Sequence, residues 1–173
     1  DAIAVADHLG WTHFSVIGHS MGGKAAQLVA AWAPDRVRKL IAASPVSADP
    51  VPFDEPTKAL FEKATESVEC RKTIVNYSTA NQLSPAWVNR TVAASIARTT
   101  PEAFDAYFKS WATDDLSDSI KNIETDTLVL VGAQDPVITS NVCEHGFRQR
   151  YQKLKIKELK SSGHYPMEEV PLL

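Results

Sequence analysis

Residues 14–32, FSVIGHSMGGKAAQLVAAW, contain the strongest structural signal in this chain. At the centre, a G-x-S-x-G motif runs from Gly18 to Gly22, after an apolar strand pattern and before an alanine-rich helix pattern. A serine on such a strand-to-helix turn has a strained backbone and an exposed hydroxyl, as a nucleophile requires. We therefore predict that Ser20 is a nucleophile. The alternative is a glycine-rich turn with an incidental serine.

The turn around Ser20 also predicts how its neighbours are used. A Cβ at Gly18 or Gly22 is expected to collide with the adjacent strand or helix backbone. The Met21 N–H opens the following helix, where unpaired N–H groups and the helix dipole stabilise a developing negative charge. We therefore predict the Met21 N–H as one oxyanion donor. His19 is expected to point away from the position that a catalytic base must occupy.

The composition is that of an ordinary globular domain. The chain has 173 residues, 44% of them hydrophobic and 23% charged, with a net charge of −3. This length suffices for one domain with a sizeable core. The basic residues do not cluster, which argues against a nucleic-acid partner. No apolar run approaches the ~18 residues of a membrane span, so no membrane partner is expected.

The two cysteines, Cys70 and Cys143, are too few for a disulfide framework, and neither lies in a Cys/His cluster. We predict that both are structural thiols in a reducing, cytoplasmic compartment and that the chain has no metal site. Cys143 is not expected to be a nucleophile, because no glycine turn presents it.

The order of elements predicts an α/β fold, a parallel sheet with crossover helices. We assign residues 1–46 and 119–173 to this α/β core. The predicted helices of the core cover residues 1–9, 21–32 and 141–151, followed by a final segment at 167–173. The predicted strands cover residues 12–17, 37–43, 127–131 and 153–159.

Residues 47–118 are predicted to form an all-helical insertion. Helices near 56–69, 84–97 and 101–112 each open with a proline, and residues 70–82 fit either a short helix or a loop. Because aromatic side chains concentrate here, we interpret the insertion as a lid over a binding cleft. Trp87, Tyr107 and Trp111 are predicted to bind substrate. The alternative is that most of these rings form the insertion's own small core.

A nucleophilic serine needs a base, and the base needs an acid that orients it. Active groups of a parallel sheet gather at the carboxyl ends of its strands. Asp135 follows the strand at 127–131 and His164 follows the strand at 153–159, so both leave the same edge as Ser20. We predict Ser20 as nucleophile, His164 as general base and Asp135 as the orienting acid.

Each of these two partners also has a plainer interpretation. Asp135 could be an ordinary turn aspartate, and His164 could be a surface histidine. The rival acids lie in the insertion or precede the third strand, at its wrong end: Asp114, Asp115, Asp118 and Asp126.

Three motifs together carry a family resemblance: GHSMGG at 18–23, VLVGAQDP at 129–136 and SGHYPMEEVP at 162–171. The chain resembles the central and C-terminal part of the α/β-hydrolase fold superfamily, in its lid-bearing serine esterase, lactonase and haloperoxidase-like group. The resemblance implies an acyl-enzyme formed at Ser20, a small, mostly apolar ester-like substrate, and no metal or organic cofactor. Haloalkane dehalogenases and epoxide hydrolases of this fold have aspartate at the serine position, and dienelactone hydrolases have cysteine.

The resemblance also implies parts that precede the serine turn. Such proteins usually have several earlier strands, with a loop that donates the second oxyanion N–H, whereas this chain starts at Asp1 with a helix pattern. We expect a fragment of a longer hydrolase, or a chain that needs another one. Loss of one oxyanion donor lowers kcat on the order of 10²–10³-fold. The first strand is then an open apolar edge, through which the chain can self-associate.

Other functions use the same three residues. Three other kinds of activity differ from ester hydrolysis only in the residues of the pocket. They are hydrolysis of a C–C bond in a ring-cleavage product, enol-lactone hydrolysis, and cofactor-free haloperoxidase or perhydrolase activity. A ligand-binding protein that keeps the triad, and an inactive truncated fragment, are the non-enzymatic alternatives. Substrate turnover distinguishes the enzymes from these two.

Overall fold

A four-stranded, fully parallel sheet lies at the centre of the molecule. The computed structural model describes residues 1–173. The strands follow one another in chain order across the sheet. They are β1 (Phe14–His19), β2 (Val37–Ala43), β3 (Asp126–Gly132) and β4 (Leu154–Leu159). The carboxyl ends of all four strands therefore meet at one edge, and the predicted fold class, α/β with a parallel sheet, is confirmed.

Helices connect the strands and cover the core. They are α1 (Ala2–His8), α2 (Met21–Trp32), α7 (Ser140–Phe147) and the single turn α8 (Pro166–Glu169). The helix α2 packs against β1 and β2, and its small residues Ala26 and Ala30 are buried in the main hydrophobic cluster with Leu40 and Val129. None of the helices combines the length and apolar character needed to cross a membrane.

Four further helices lie between β2 and β3. They are α3 (Glu55–Lys63), α4 (Val68–Ser78), α5 (Pro85–Arg98) and α6 (Pro101–Thr113). Each begins after a residue whose side-chain oxygen accepts a backbone N–H three positions later, as an N-cap does. These caps are Asp54, Ser67, Ser84 and Thr100.

Aromatic rings fill the interior of this helical segment. Phe61 and Phe108 stack with ring centroids 5.1 Å apart, and Trp111 packs edge-on against both, at 5.4 and 5.5 Å. Phe53 joins the same cluster. These four rings pack against one another, and a lid role of the segment stays a prediction.

The buried Lys24 of α2 ties the helical segment to the sheet. Its Nζ donates hydrogen bonds to the carbonyl oxygens of Asp49, Trp111 and Asp114, at 3.2, 3.1 and 2.6 Å. Asp49 precedes α3, whereas the other two lie at the end of α6. One ammonium group thus joins both ends of the segment to the helix that follows Ser20.

Several predicted boundaries differ from the structure. The first strand begins at Phe14 rather than at residue 12 and continues through His19, because Gly18 and His19 still pair with β2. The predicted helix 56–69 is wrong as one element: α3 ends at Lys63, and α4 occupies part of the undecided stretch 70–82. The predicted helix 141–151 ends at Phe147, and Tyr151 instead forms a bridge with Ile123.

Candidate active site

Ser20 lies on the turn between β1 and α2 in a strained conformation. Its φ is 55°, a left-handed value that residues other than glycine rarely adopt. Backbone hydrogen bonds hold this geometry: the Ser20 N–H donates to Ala43, and its carbonyl oxygen accepts from Gly23 and Val46. The neighbouring strand end therefore fixes the turn that presents the serine hydroxyl.

Close packing explains two of the three glycines around this serine. A Cβ at Gly18 would overlap the carbonyl of Gly22, as predicted. The prediction for Gly22 is wrong, since a Cβ there would meet nothing within 4 Å. The second required glycine is Gly23, where a Cβ would lie 2.6 Å from the Cβ of Pro45. The segment after β2, rather than the turn itself, imposes that requirement.

The loops after β3 and β4 lie directly against each other. A Cβ at Gly132 would overlap the carbonyl oxygens of Ser162 and Gly163, so the absence of a side chain lets the two loops meet. The Gln134 N–H donates to the Ser162 carbonyl at 2.9 Å. These contacts bring the residues that follow, Asp135 and His164, close together.

Ser20, His164 and Asp135 form one continuous hydrogen-bonded chain. The His164 Nε2 lies 2.9 Å from the Ser20 Oγ, and the His164 Nδ1 lies 2.6 Å from the Asp135 Oδ2. Asp135 is only 3% exposed. A carboxylate can only accept, so the proton of the neutral imidazole lies on Nδ1 and the lone pair of Nε2 faces the serine hydroxyl. This geometry allows the hydroxyl proton to move to the imidazole.

The Met21 N–H opens α2 immediately after Ser20. As the first N–H of the helix, it has no carbonyl acceptor within the helix. Its position beside the serine fits an oxyanion donor, and its catalytic role stays a prediction.

The three residues predicted to bind substrate occupy different surroundings. The Trp87 ring packs edge-on against Tyr165, next to His164, with centroids 5.2 Å apart. Trp111 lies in the aromatic cluster of the helical segment, and Tyr107 on α6 is 58% exposed. The structure thus brings Trp87 into contact with the residue after His164. Substrate binding by these side chains stays a prediction.

A sequence model of the α/β-hydrolase fold family matches residues 2–169. The chain belongs to the α/β-hydrolase family. Among curated proteins, it is 43% identical over 54 residues to a protein of Haemophilus influenzae (strain ATCC 51907 / DSM 11121 / KW20 / Rd) with the provisional name esterase/lipase. That match covers 31% of this chain and 18% of the relative.

Solved structures of the same fold superpose on nearly the whole chain. Est816, described as an N-acyl homoserine lactone degrading enzyme, matches 99% of it with a TM-score of 0.83 and 18% identity. An esterase from Exiguobacterium antarcticum matches 99% with a TM-score of 0.82 and 19% identity. The meta-cleavage product hydrolase from Pseudomonas fluorescens IP01 matches 98% with a TM-score of 0.77 and 18% identity. This α/β-hydrolase chain spans 68%, 67% and 64% of those three proteins, respectively.

In this α/β-hydrolase, the predicted orientation of His19 is wrong. The His19 Nε2 donates to the carbonyl oxygen of His164 at 2.7 Å, and the two rings lie 5.0 Å apart. Burial, followed by the charge of His164, lowers the pKa of His19 below its ordinary value of 6.5. A signal for this contact was present in the sequence, because a residue directly before Ser20 at the end of β1 belongs to the same sheet edge as His164.

Glu169 is a second residue of the site region that the sequence did not single out. Its carboxylate accepts hydrogen bonds from the backbone N–H groups on both sides of His164. Cys143, by contrast, is buried on α7. Burial raises the pKa of its thiol to about 12, so the thiol stays protonated at neutral pH, which agrees with a structural role.

Proposed function

We propose that this α/β-hydrolase is a serine hydrolase that cleaves an ester or similar acyl bond of a small, mostly apolar substrate. The observation that carries the proposal is the hydrogen-bonded chain from the Ser20 hydroxyl through His164 to the buried Asp135, at 2.9 and 2.6 Å. The esterase/lipase name of the Haemophilus influenzae relative supports the same bond type. The names of two structural relatives, an esterase and an N-acyl homoserine lactone degrading enzyme, are consistent with it.

The chemistry follows from the proton positions. The Ser20 Oγ attacks the substrate carbonyl carbon while its proton passes to the His164 Nε2, and Asp135 stabilises the imidazolium that forms. The carbonyl oxygen becomes an oxyanion that accepts a hydrogen bond from the Met21 N–H. Collapse of the intermediate breaks the bond to the leaving group, which takes the proton from Nε2. A water molecule, activated by the same imidazole, then attacks the acyl-enzyme and releases the acid.

The helical segment between β2 and β3 is proposed to form a lid that lines the acyl pocket. Trp87 supports this role most directly, since its ring contacts Tyr165 and its Nε1 donates to Glu168 at 2.8 Å. Tyr107 and Trp111 are proposed to contribute from α6. An apolar lining of this kind favours small apolar acyl groups over charged ones.

The proposal is tested by hydrolysis of p-nitrophenyl esters and by labelling with a fluorophosphonate probe. Ser20→Ala is expected to abolish labelling and to lower kcat by on the order of 10⁴-fold or more. Ser15→Ala, which changes an exposed serine of the same strand, is the matched control and should behave like the unmodified protein. Equal ester hydrolysis by the Ser20→Ala variant and the unmodified protein would contradict the proposal. Labelling at any residue other than Ser20 would also contradict it.

A further inference from the structure

One carboxylate bridges the two residues that flank His164. The Glu169 Oε2 accepts from the Gly163 N–H, and the Glu169 Oε1 accepts from the Tyr165 N–H, both at 2.8 Å. We propose that Glu169 is a positioning residue, which holds the backbone of His164 so that its imidazole stays between Ser20 and Asp135. This inference rests on the proposed function of His164 as the base.

The loop needs such support because it lies beyond the sheet. β4 ends at Leu159, so no strand pairing fixes the backbone at His164. The His164 N–H instead donates to the Ser78 carbonyl at the end of α4, at 3.1 Å. Its carbonyl accepts from the His19 Nε2 at 2.7 Å. The N–H groups of residues 163, 164 and 165 thus all have acceptors. Glu169 of α8 accepts from residues 163 and 165, and Ser78 of α4 accepts from residue 164.

A carboxylate suits this task better than any neutral side chain. Each of its two oxygens accepts one N–H, and hydrogen bonds to a charged acceptor are stronger than neutral ones. A glutamine at residue 169 has nearly the same shape but only one acceptor oxygen, and its NH₂ group would face a backbone N–H donor. Glu169→Gln therefore breaks one of the two bonds with almost no change in volume.

Loss of one of the two hydrogen bonds to Glu169 shifts His164 relative to Ser20 and Asp135. A displacement of about 1 Å at a catalytic group can lower a rate by roughly 10²-fold. We expect Glu169→Gln to lower kcat and the rate of fluorophosphonate labelling by about 10- to 100-fold. The KM should change little, because the hydrogen bonds of Glu169 are to the backbone of Gly163 and Tyr165 and not to a residue predicted to bind substrate.

A merely structural role for Glu169 predicts a different result, so the experiment includes readouts other than activity. The downfield NMR resonance of the His164 Nδ1 proton, which is bonded to Asp135, reports the position of the imidazole directly. Thermal unfolding reports global stability. Glu158→Gln is the matched control: it removes the same charge from β4, and its oxygen can still accept from the Ser140 hydroxyl.

The expected outcome is slower labelling and a shifted or broadened resonance in Glu169→Gln, with thermal stability close to that of Glu158→Gln. If Glu169→Gln does not fold, Glu169→Asp keeps the charge but is one methylene too short, and should change labelling and the resonance in the same direction. Labelling at the unmodified rate with an unchanged resonance would overturn the inference. If the unmodified protein itself is not labelled, the proposed function fails, and the resonance alone then decides whether Glu169 positions His164.

Discussion

At residue 135 the two carboxylate oxygens have separate partners. The Asp135 Oδ1 accepts from the N–H groups of Val137 and Ile138, at 3.0 and 2.9 Å, whereas Oδ2 faces His164. The first pair of bonds shapes the loop after β3, and the remaining oxygen is left to orient the imidazole. One substitution can therefore separate the contribution of this residue to folding from its proposed contribution to catalysis.

Asp135→Asn is expected to keep the fold and lose the activity. The amide oxygen can still accept from Val137 and Ile138, but the NH₂ group then faces the His164 Nδ1, which must become the acceptor. The imidazole proton moves to Nε2, which can no longer accept the Ser20 proton. Triads that lose their acid in this way lose kcat by about 10⁴-fold. Ester hydrolysis within tenfold of the unmodified rate, with an intact fold by circular dichroism, would be incompatible with this role.

His19 predicts a pH dependence of stability. Its pKa is lowered in the folded protein, so just below pH 6.5 the unfolded chain takes up a proton that the folded protein does not. The free energy of unfolding should therefore fall as the pH drops through 6.5, and level off once the folded His19 also protonates. His19→Gln keeps a side-chain N–H donor and should show a shallower fall in urea unfolding measured across pH. His13→Gln, at an exposed position, is the control. Identical pH slopes for His19→Gln and the unmodified protein would contradict the prediction.

Sequence reasoning brought Ser20, Asp135 and His164 together because all three follow strands of one parallel sheet, whose carboxyl ends share an edge. It missed the bonds made by His19 and Glu169, since a side chain that holds the backbone of a loop leaves no periodic pattern. The wrong prediction that Gly22 must lack a side chain has the same origin. The residue that must lack one is Gly23, because it lies against Pro45 from a different element.

At the scale of elements, prolines explain why most of the helices between β2 and β3 were predicted. Pro56, Pro85 and Pro101 mark the first turns of α3, α5 and α6, and a helix start was predicted at each, although α3 ends at Lys63 rather than at residue 69. The helix α4 has no such proline, and its Thr73-Ile74-Val75 run is β-branched and lowers helix propensity. Only the Ser67 cap marks its start, so the sequence left this helix undecided.

The attachment of the helical segment to α2 depends on one side chain. Lys24→Met keeps the aliphatic length but removes the donor to the carbonyls of Asp49, Trp111 and Asp114. These bonds are partly buried, and carbonyls that lose their partner there destabilise a protein, so we expect the free energy of unfolding to fall by about 2 kcal/mol. Urea unfolding measures the change, with Lys39→Met at an exposed position of β2 as control. A Lys24→Met variant as stable as this control would show that burial of the charge outweighs its hydrogen bonds.

At the scale of the whole molecule, the two edges of the sheet differ in chemistry. β4 alternates lysines with apolar residues, Lys155 and Lys157 being exposed, and charged side chains of this kind discourage pairing with another chain. β1 pairs only with β2 and presents Ile17, which is 70% exposed. The edge at β1 therefore has both unpaired backbone groups and an apolar side chain.

We expect the 173-residue chain to self-associate through β1, which size-exclusion chromatography with light scattering over a range of concentrations would detect. Ile17→Lys places a charge on this edge and should raise the monomer fraction. Ile96→Lys changes an apolar residue of α5 that is 43% exposed and should have no such effect, so the pair of variants distinguishes a lysine on the β1 edge from a lysine elsewhere on the surface. A chain that is monomeric at every concentration would contradict the prediction, as would equal effects of the two lysines. If the association is confirmed, ester hydrolysis by the Ile17→Lys monomer shows whether the Ser20 site needs a second copy to be active.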